Sequence, residues 1–194
     1  MPAIAYLPIK RVLDVTMASV GAMTLAIPMA GIAAAIRLTS KGPVLHWSRR
    51  IGKDNAEFLM PKFRTMRTDT PQLPTHLMTQ AAQYLTPVGS ILRKTSLDEL
   101  PQLYSILRGD MSFVGPRPAL YNQDDLVALR TQCEVHQLLP GLTGWAQVNG
   151  RDELPIAKKV EFDKFYRNNQ SLGLDLKILL MTGLKAITGI GIQH

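Results

Sequence analysis

Between Lys10-Arg11 and Arg37 the chain runs for twenty-five residues, Val12 to Ile36, with Asp14 as its only charge. An apolar run of that length suits a bilayer better than water. Basic residues sit on both flanks, Lys10 and Arg11 before and Arg37 and Lys41 after, whereas a simple span concentrates them on its cytoplasmic side. Two basic flanks fit two cytoplasmic ends. Pro28 lies mid-run, where it removes a backbone hydrogen bond and predicts a kink. A kinked helix can enter one leaflet and return; an ordinary span that tolerates its proline is the competing account, and composition leaves both open. A cleaved secretory signal fits poorly, because its apolar core is shorter and the basic stretch after Ile36 makes a poor mature terminus. The 194-residue chain less this segment leaves enough sequence for one catalytic domain with its own core.

The formal net charge is +7, and from Arg37 to Arg67 eight Lys or Arg residues face only Asp54 and Glu57. That balance favours an anionic partner. Because the basic block follows the apolar run directly, membrane phospholipid is the nearest candidate. Nucleic acid is disfavoured: no zinc spacing or RNP pattern accompanies the charge, and aromatics are 6% of residues. Cys133 has no second cysteine to pair with and reads as a small buried apolar residue. His46, His76, His136 and His194 are scattered without an HExxH pattern, and no GxxxxGK[ST] or strand-following GxGxxG exists to hold a nucleotide.

Asp98 and Glu99 stand side by side in Ser96-Leu97-Asp98-Glu99-Leu100-Pro101-Gln102-Leu103. Neighbours on a helix project about 100° apart, which suits divided labour, one carboxylate attacking and the other holding a cation. A glycosidase pair must instead flank a sugar, with carboxyl groups about 5 to 9 Å apart. The alternative is structural, since Ser96 with Glu99 three positions on has the form of a capping box. Pro101 is tolerated in a first turn. Both readings put the pair at a helix N-terminus, a place that attracts phosphate.

Elsewhere the pattern predicts a hairpin, Val44 to Ile51 and Glu57 to Met66 about a Gly52-Lys53-Asp54-Asn55 turn. Asp69 to Pro87 reads as an exposed loop with a short helical piece around Leu77 to Tyr84. A helix is expected from Asp98 to Arg108, closed by Gly109. In Gly109 to Pro118, prolines and glycines hold Arg117, either as a pyrophosphate clamp or as a solvated turn residue. Leu120 to Val135 reads as helical, and Leu139 to Arg151 as a glycine-punctuated loop or strand presenting Gln147, Asn149 and Arg151 beside Trp145. Leu154 to Asn168 and Leu172 to Ile187 are two more helices; core packing is the safer role for the last, with a bilayer interface as the other. The fold class is α/β, mainly helical with a small β-hairpin.

Lys10-Arg11-Val12-Leu13-Asp14, Lys62-Phe63-Arg64-Thr65-Met66, the Ser96 to Leu103 octet, Gly109 to Pro118 and Pro140 to Arg151 occur in this order. Over nearly its whole length the chain thereby resembles the small monotopic phosphoglycosyl transferases, bacterial sugar transferases that initiate glycan assembly on polyprenol phosphate. The resemblance implies a re-entrant helix–break–helix over residues 1–40, broken at Pro28, and a compact catalytic domain over 41–194. That domain would rest, with interfacial amphipathic helices, on the cytoplasmic face of the bacterial inner membrane. Relatives often carry serine before the proline, where this chain has Ile27. The implied reaction is ping-pong transfer of a phosphosugar from a UDP-sugar to undecaprenyl phosphate with release of UMP, starting O-antigen, capsule, exopolysaccharide or glycoprotein glycan synthesis. By the same resemblance Asp98 is the nucleophile and Glu99 the Mg²⁺ ligand. Lys62, Arg64, Arg93 and Arg117 are phosphate-binding candidates, and Arg151 and Gln147 nucleotide or sugar contacts. The sugar is open, an N-acetylated or deoxyamino sugar being one candidate. A homo-oligomer is compatible with the chain, though no residue names one. The rival classes are a membrane-tethered scaffold and a transferase that moves only the sugar and releases UDP.

Overall fold

A proline ring clashes with the carbonyl four residues earlier, which for Pro28 belongs to Thr24. The computed structural model, which describes residues 6–70, 81–150 and 154–188, ends its first helix there. Helix α1 runs Tyr6–Thr24, α2 runs Ala26–Thr39, and the two meet at an angle of 61°. The break expected at Pro28 thus falls at Leu25, and Pro28 sits in the first turn of α2, where a missing N–H costs nothing. The Thr24 hydroxyl donates back to the carbonyls of Val20 (2.9 Å) and Gly21 (3.2 Å), a side-chain bond of the kind that accompanies a bend at a helix end. Ile27 is 85% exposed and takes no part in the break. Among the described residues no single helix is long and apolar enough to cross a membrane, whereas α1 and α2 together are.

The lone charge of the apolar run is satisfied by the rest of the fold. Asp14 is buried and accepts a hydrogen bond from the Phe113 backbone N–H at 3.0 Å. One and two helical turns back, Lys10 and Tyr6 both donate to the carboxylate of Asp175, which also accepts from the Tyr166 hydroxyl at 2.7 Å. A buried carboxylate needs such partners. They fasten α1 to α7 (Ile156–Asn169) and α8 (Leu172–Thr188) from the far end of the chain.

Strands β1 (Leu45–Ile51) and β2 (Glu57–Phe63) form the expected antiparallel hairpin, with β2 ending before the expected Met66. Its turn is tightened by left-handed backbone at Asp54 and Asn55, residue types that tolerate positive φ. A two-residue strand β4 (Ala119–Leu120) pairs with the other edge of β1, giving the order β2-β1-β4. Alternation divides the hairpin's side chains between two cores. Met60 packs with Ala18, Leu103, Ile106 and Met111, and Phe63 packs with Ile36 of α2 and Leu92 of α3 (Gly89–Lys94).

The segment with the adjacent carboxylates is not a plain α-helix. Leu97–Gln102 is 3₁₀ and passes into α4 (Leu103–Arg108), which Gly109 closes in the left-handed conformation as expected. Pro101 inside the segment cannot donate to an α-helical ladder, which accounts for the tighter winding. Strand β3 (Ser112–Val114), unforeseen in the sequence, runs parallel to β5 (Gly141–Thr143). Helix α5 (Asp124–Gln132) is shorter than the predicted span, and α6 is a single turn, Trp145–Val148. Of the predicted loop, Ala81–Tyr84 is a 3₁₀ turn, and 71–80 lies outside the described residues. Along α8, Leu172, Leu176, Leu180 and Leu184 repeat every fourth position and are exposed, while Ile178 is buried, so the helix joins the core on one side and shows an apolar stripe on the other.

Candidate active site

The capping-box alternative for Ser96 and Glu99 does not form. Ser96 takes a left-handed conformation and its side chain makes no capping bond. Glu99 Oε1 instead accepts from Lys62 Nζ at 2.7 Å and lies 3.4 Å from Arg117 Nη2. Burial alone would raise the Glu99 pKa, but the Lys62 and Arg117 charges override it and hold the carboxyl at about 2. Glu99 is therefore a fixed anion at any physiological pH.

Asp98 is buried too, and its balance goes the other way. Burial pushes its pKa above the ordinary carboxylate value, and the neighbouring Glu99 charge adds to this, while Lys62 and Arg93 pull it down. Desolvation lowers the Lys62 pKa, the Glu99 charge opposing and the Arg117 charge reinforcing that shift. Two adjacent carboxyls pushed in opposite directions is the pattern expected of groups with different tasks. A desolvated carboxylate is a stronger nucleophile, and the cations around it are suited to phosphate oxygens.

The supporting elements explain these positions. Lys62 lies on β2, on the face opposite the one that sends Pro61 and Phe63 toward α2, and it pairs across the strands with His46. Arg93, in the last turn of α3, donates through Nε to the Thr65 hydroxyl at 2.9 Å, and its guanidinium feels the Asp98 charge. Arg117 belongs to a loop whose backbones touch. A Cβ on Gly141 would fall 2.1 Å from Gly115 N, and one on Gly144 would fall 2.0 Å from Gly115 O, so only glycine fits. The same loop is tied from behind: Arg130 donates to the Arg117 carbonyl at 2.8 Å and to Asp163 Oδ2 at 2.7 Å. Asp163 is almost fully enclosed. Arg130→Met is expected to destabilise the protein by about 3 kcal/mol, because it strands a buried carboxyl. Chemical denaturation checks this, and an unchanged midpoint would show that the pair does not hold the loop.

The structure thus brings Lys62, Arg93 and Arg117 around Asp98-Glu99. It gives Arg64 another job: the guanidinium donates to the Ser40 carbonyl (3.1 Å), the Ser40 hydroxyl (2.7 Å) and the Lys41 carbonyl, fastening the end of α2 to the hairpin. Gln147 lies in α6 with both amide atoms shut from solvent and unpaired. Trp145 beside it stacks on Phe165 with centroids 5.4 Å apart, and Lys177 lies over its ring. Arg151 lies outside the described residues. Arg130 and Asp163 were not singled out in the sequence, where no local pattern marks them; Thr65 stood within the Lys62 to Met66 motif without a role of its own, and Asp14 was noted only as the lone charge of the apolar run.

Mg²⁺ takes oxygen ligands from one or two protein carboxylates, the remainder coming from water and substrate phosphates. Among the described residues no group of three or more His, Cys, Asp and Glu could hold a metal. The permanently ionised Glu99 beside Asp98 fits the sparser arrangement.

Residues 5–189 match the family model described as bacterial sugar transferase. The chain is 40% identical over 186 residues to an uncharacterized sugar transferase, EpsL, of Bacillus subtilis, covering 96% of this chain and 91% of that protein. It is 38% identical to a UDP-glucose:undecaprenyl-phosphate glucose-1-phosphate transferase of Xanthomonas campestris, covering 92% of this chain and 38% of that protein. It is 36% identical to a UDP-N-acetylgalactosamine-undecaprenyl-phosphate N-acetylgalactosaminephosphotransferase of Aeromonas hydrophila, covering 98% of this chain and 46% of that one. The chain spans less than half the length of these last two relatives. With one family model matching almost from end to end and the carboxylates of its central octet drawn into a cationic site, the chain belongs to the bacterial sugar transferase family.

Proposed function

We propose that the protein transfers a phosphosugar from a UDP-sugar to undecaprenyl phosphate, releasing UMP, as the first membrane step of a glycan. The observation that carries this reading is the split pair: Asp98 buried with its pKa raised, Glu99 held ionised by Lys62 and Arg117. The relatives' printed activities supply the two substrates. A carboxylate oxygen of Asp98 attacks the sugar-bearing phosphorus, and the bond from that phosphorus to the bridging oxygen breaks, UMP leaving with the electron pair. An oxygen of the lipid phosphate then attacks the same phosphorus, and Asp98 leaves as carboxylate. Neither displacement needs a proton transfer, which fits a site rich in fixed charge. Glu99 would hold Mg²⁺, whose charge would offset that of the diphosphate. Lys62, Arg93 and Arg117 neutralise phosphate oxygens, and the guanidinium of Arg151 contacts nucleotide or sugar, as does Gln147 once its enclosed amide is opened to the ligand.

The location follows the same logic. The bent pair α1–α2 sits in the inner leaflet of the cytoplasmic membrane as a re-entrant unit, with residues 41–194 on the cytoplasmic face. Exposed Val12, Met23, Ile27 and Leu38, with the leucine stripe of α8, supply its apolar surface. The test is nucleotide release by purified protein in lipid discs with Mg²⁺, undecaprenyl phosphate and a panel of UDP-sugars. UMP supports phosphosugar transfer, UDP would mean transfer of the sugar alone, and no nucleotide from any donor would favour a scaffold.

The attacking form of Asp98 is the carboxylate, and burial has raised its pKa. Activity should therefore fall as pH drops through a value above the ordinary carboxylate pKa of about 4. A pH profile of kcat/KM for the UDP-sugar checks this; an acid limb at or below the ordinary value would contradict the assignment.

A further inference from the structure

A cavity of about 550 Å³ opens between α2 and the hairpin on the side of β2 opposite Lys62, and its lining contains no charged residue. Ala30 and Ala33 of α2 form one wall, Trp47 and Phe63 another, and Pro101 and Tyr104 the end nearest the carboxylates. The small side chains on α2 keep the space open. Trp47 and Tyr104 meet edge to face, with ring centroids 6.3 Å apart, and remain about half exposed. A void of this size with large aromatics on its rim is costly in water, and it matches the volume of ligand sites.

Its position restricts the occupant. Pro101 follows Asp98 by three residues within one 3₁₀ segment, so the groove ends roughly 6 Å along that axis from the nucleophile. An apolar occupant lying along this segment past Pro101 carries an anionic head toward Asp98 and the cations on the other face of β2. Of the two proposed substrates the UDP-sugar is polar throughout, and only the acceptor joins a hydrocarbon chain to a phosphate. A phospholipid acyl chain has the right polarity, but its phosphate lies between glycerol and headgroup and is not a terminal nucleophile.

Resting on the transfer reading above, we propose that this groove grips the phosphate-proximal isoprene units of the acceptor and so places its phosphate in line with Asp98. Trp47 and Tyr104 close the groove over the chain. Discrimination for chain length then resides in these units, and affinity should stop rising once the groove is full.

Ala30→Phe and Ala33→Leu fill the groove without creating a cavity, and Ala30 faces solvent, so at least one should fold. Turnover would be compared for undecaprenyl phosphate and for a short prenyl phosphate that does not fill the groove, with UMP binding measured alongside. The ratio of kcat/KM for the long acceptor over the short one is expected to fall about tenfold in either variant, with the UMP Kd unchanged. An unchanged ratio, or one that responds only to phospholipid added to the discs, would overturn the assignment. Absence of turnover by wild-type protein with any UDP-sugar would overturn the transfer reading, and the groove's role with it.

Discussion

Replacing Asp98 with Asn is expected to reduce UMP release by at least about 10⁴-fold, because the amide cannot form the acyl-phosphate link to the phosphosugar and no other described carboxylate shares its place. The fold should not suffer. Asp98 has a raised pKa in the folded protein, so its ionisation is less favourable there than in the unfolded chain. Above the unfolded pKa the carboxylate therefore costs stability, a cost relieved as pH falls and the group protonates. The Asn variant lacks that cost and is expected to melt at or above the wild-type temperature at neutral pH. Loss of activity with retained or raised Tm identifies a functional carboxyl, whereas substantial turnover by the variant would remove Asp98 as nucleophile.

Glu99→Gln is expected to behave differently on both counts. Its rate should fall about 10² to 10³-fold and its dependence on Mg²⁺ should flatten, because a neutral amide is a poor ligand for a hard cation. Its stability should fall as well. The folded pKa of about 2 lies below that of the unfolded chain, so the stabilisation from Glu99 is present above the unfolded value and lost as pH drops toward 2. At neutral pH it amounts to on the order of 3 kcal/mol. Without it, the Lys62 ammonium stays buried beside Arg117 with only Asp98 to offset it. Thermal melts and Mg²⁺ titrations of the variant check both halves; an unchanged Mg²⁺ response would remove Glu99 as a ligand.

These opposite effects on neighbouring residues depend on distant chain. Lys62 is 37 residues from Glu99 and Arg117 is 18, and neither separation is one at which local propensity acts. The sequence made the pair conspicuous but left a capping box open, because Ser96 and Glu99 have the spacing of one. The left-handed Ser96 and the capture of Glu99 by Lys62 decided the matter. By sequence alone Arg64 and Lys62 are equal candidates to meet phosphate, two residues apart in one basic segment. Burial of Arg64 against Ser40 and Lys41 separates their roles.

Local rules, acting over a few residues, determined the hairpin, the bend near Pro28, the stop at Gly109 and the adjacency of two carboxylates. The order of five motifs added the family. Only tertiary structure decided in which direction each carboxyl's pKa moves, which arginines face the pair, and where the apolar groove lies. Those outcomes depend on cross-strand register and on ion pairs such as Lys10 with Asp175, 165 residues apart, that form only when the whole chain closes.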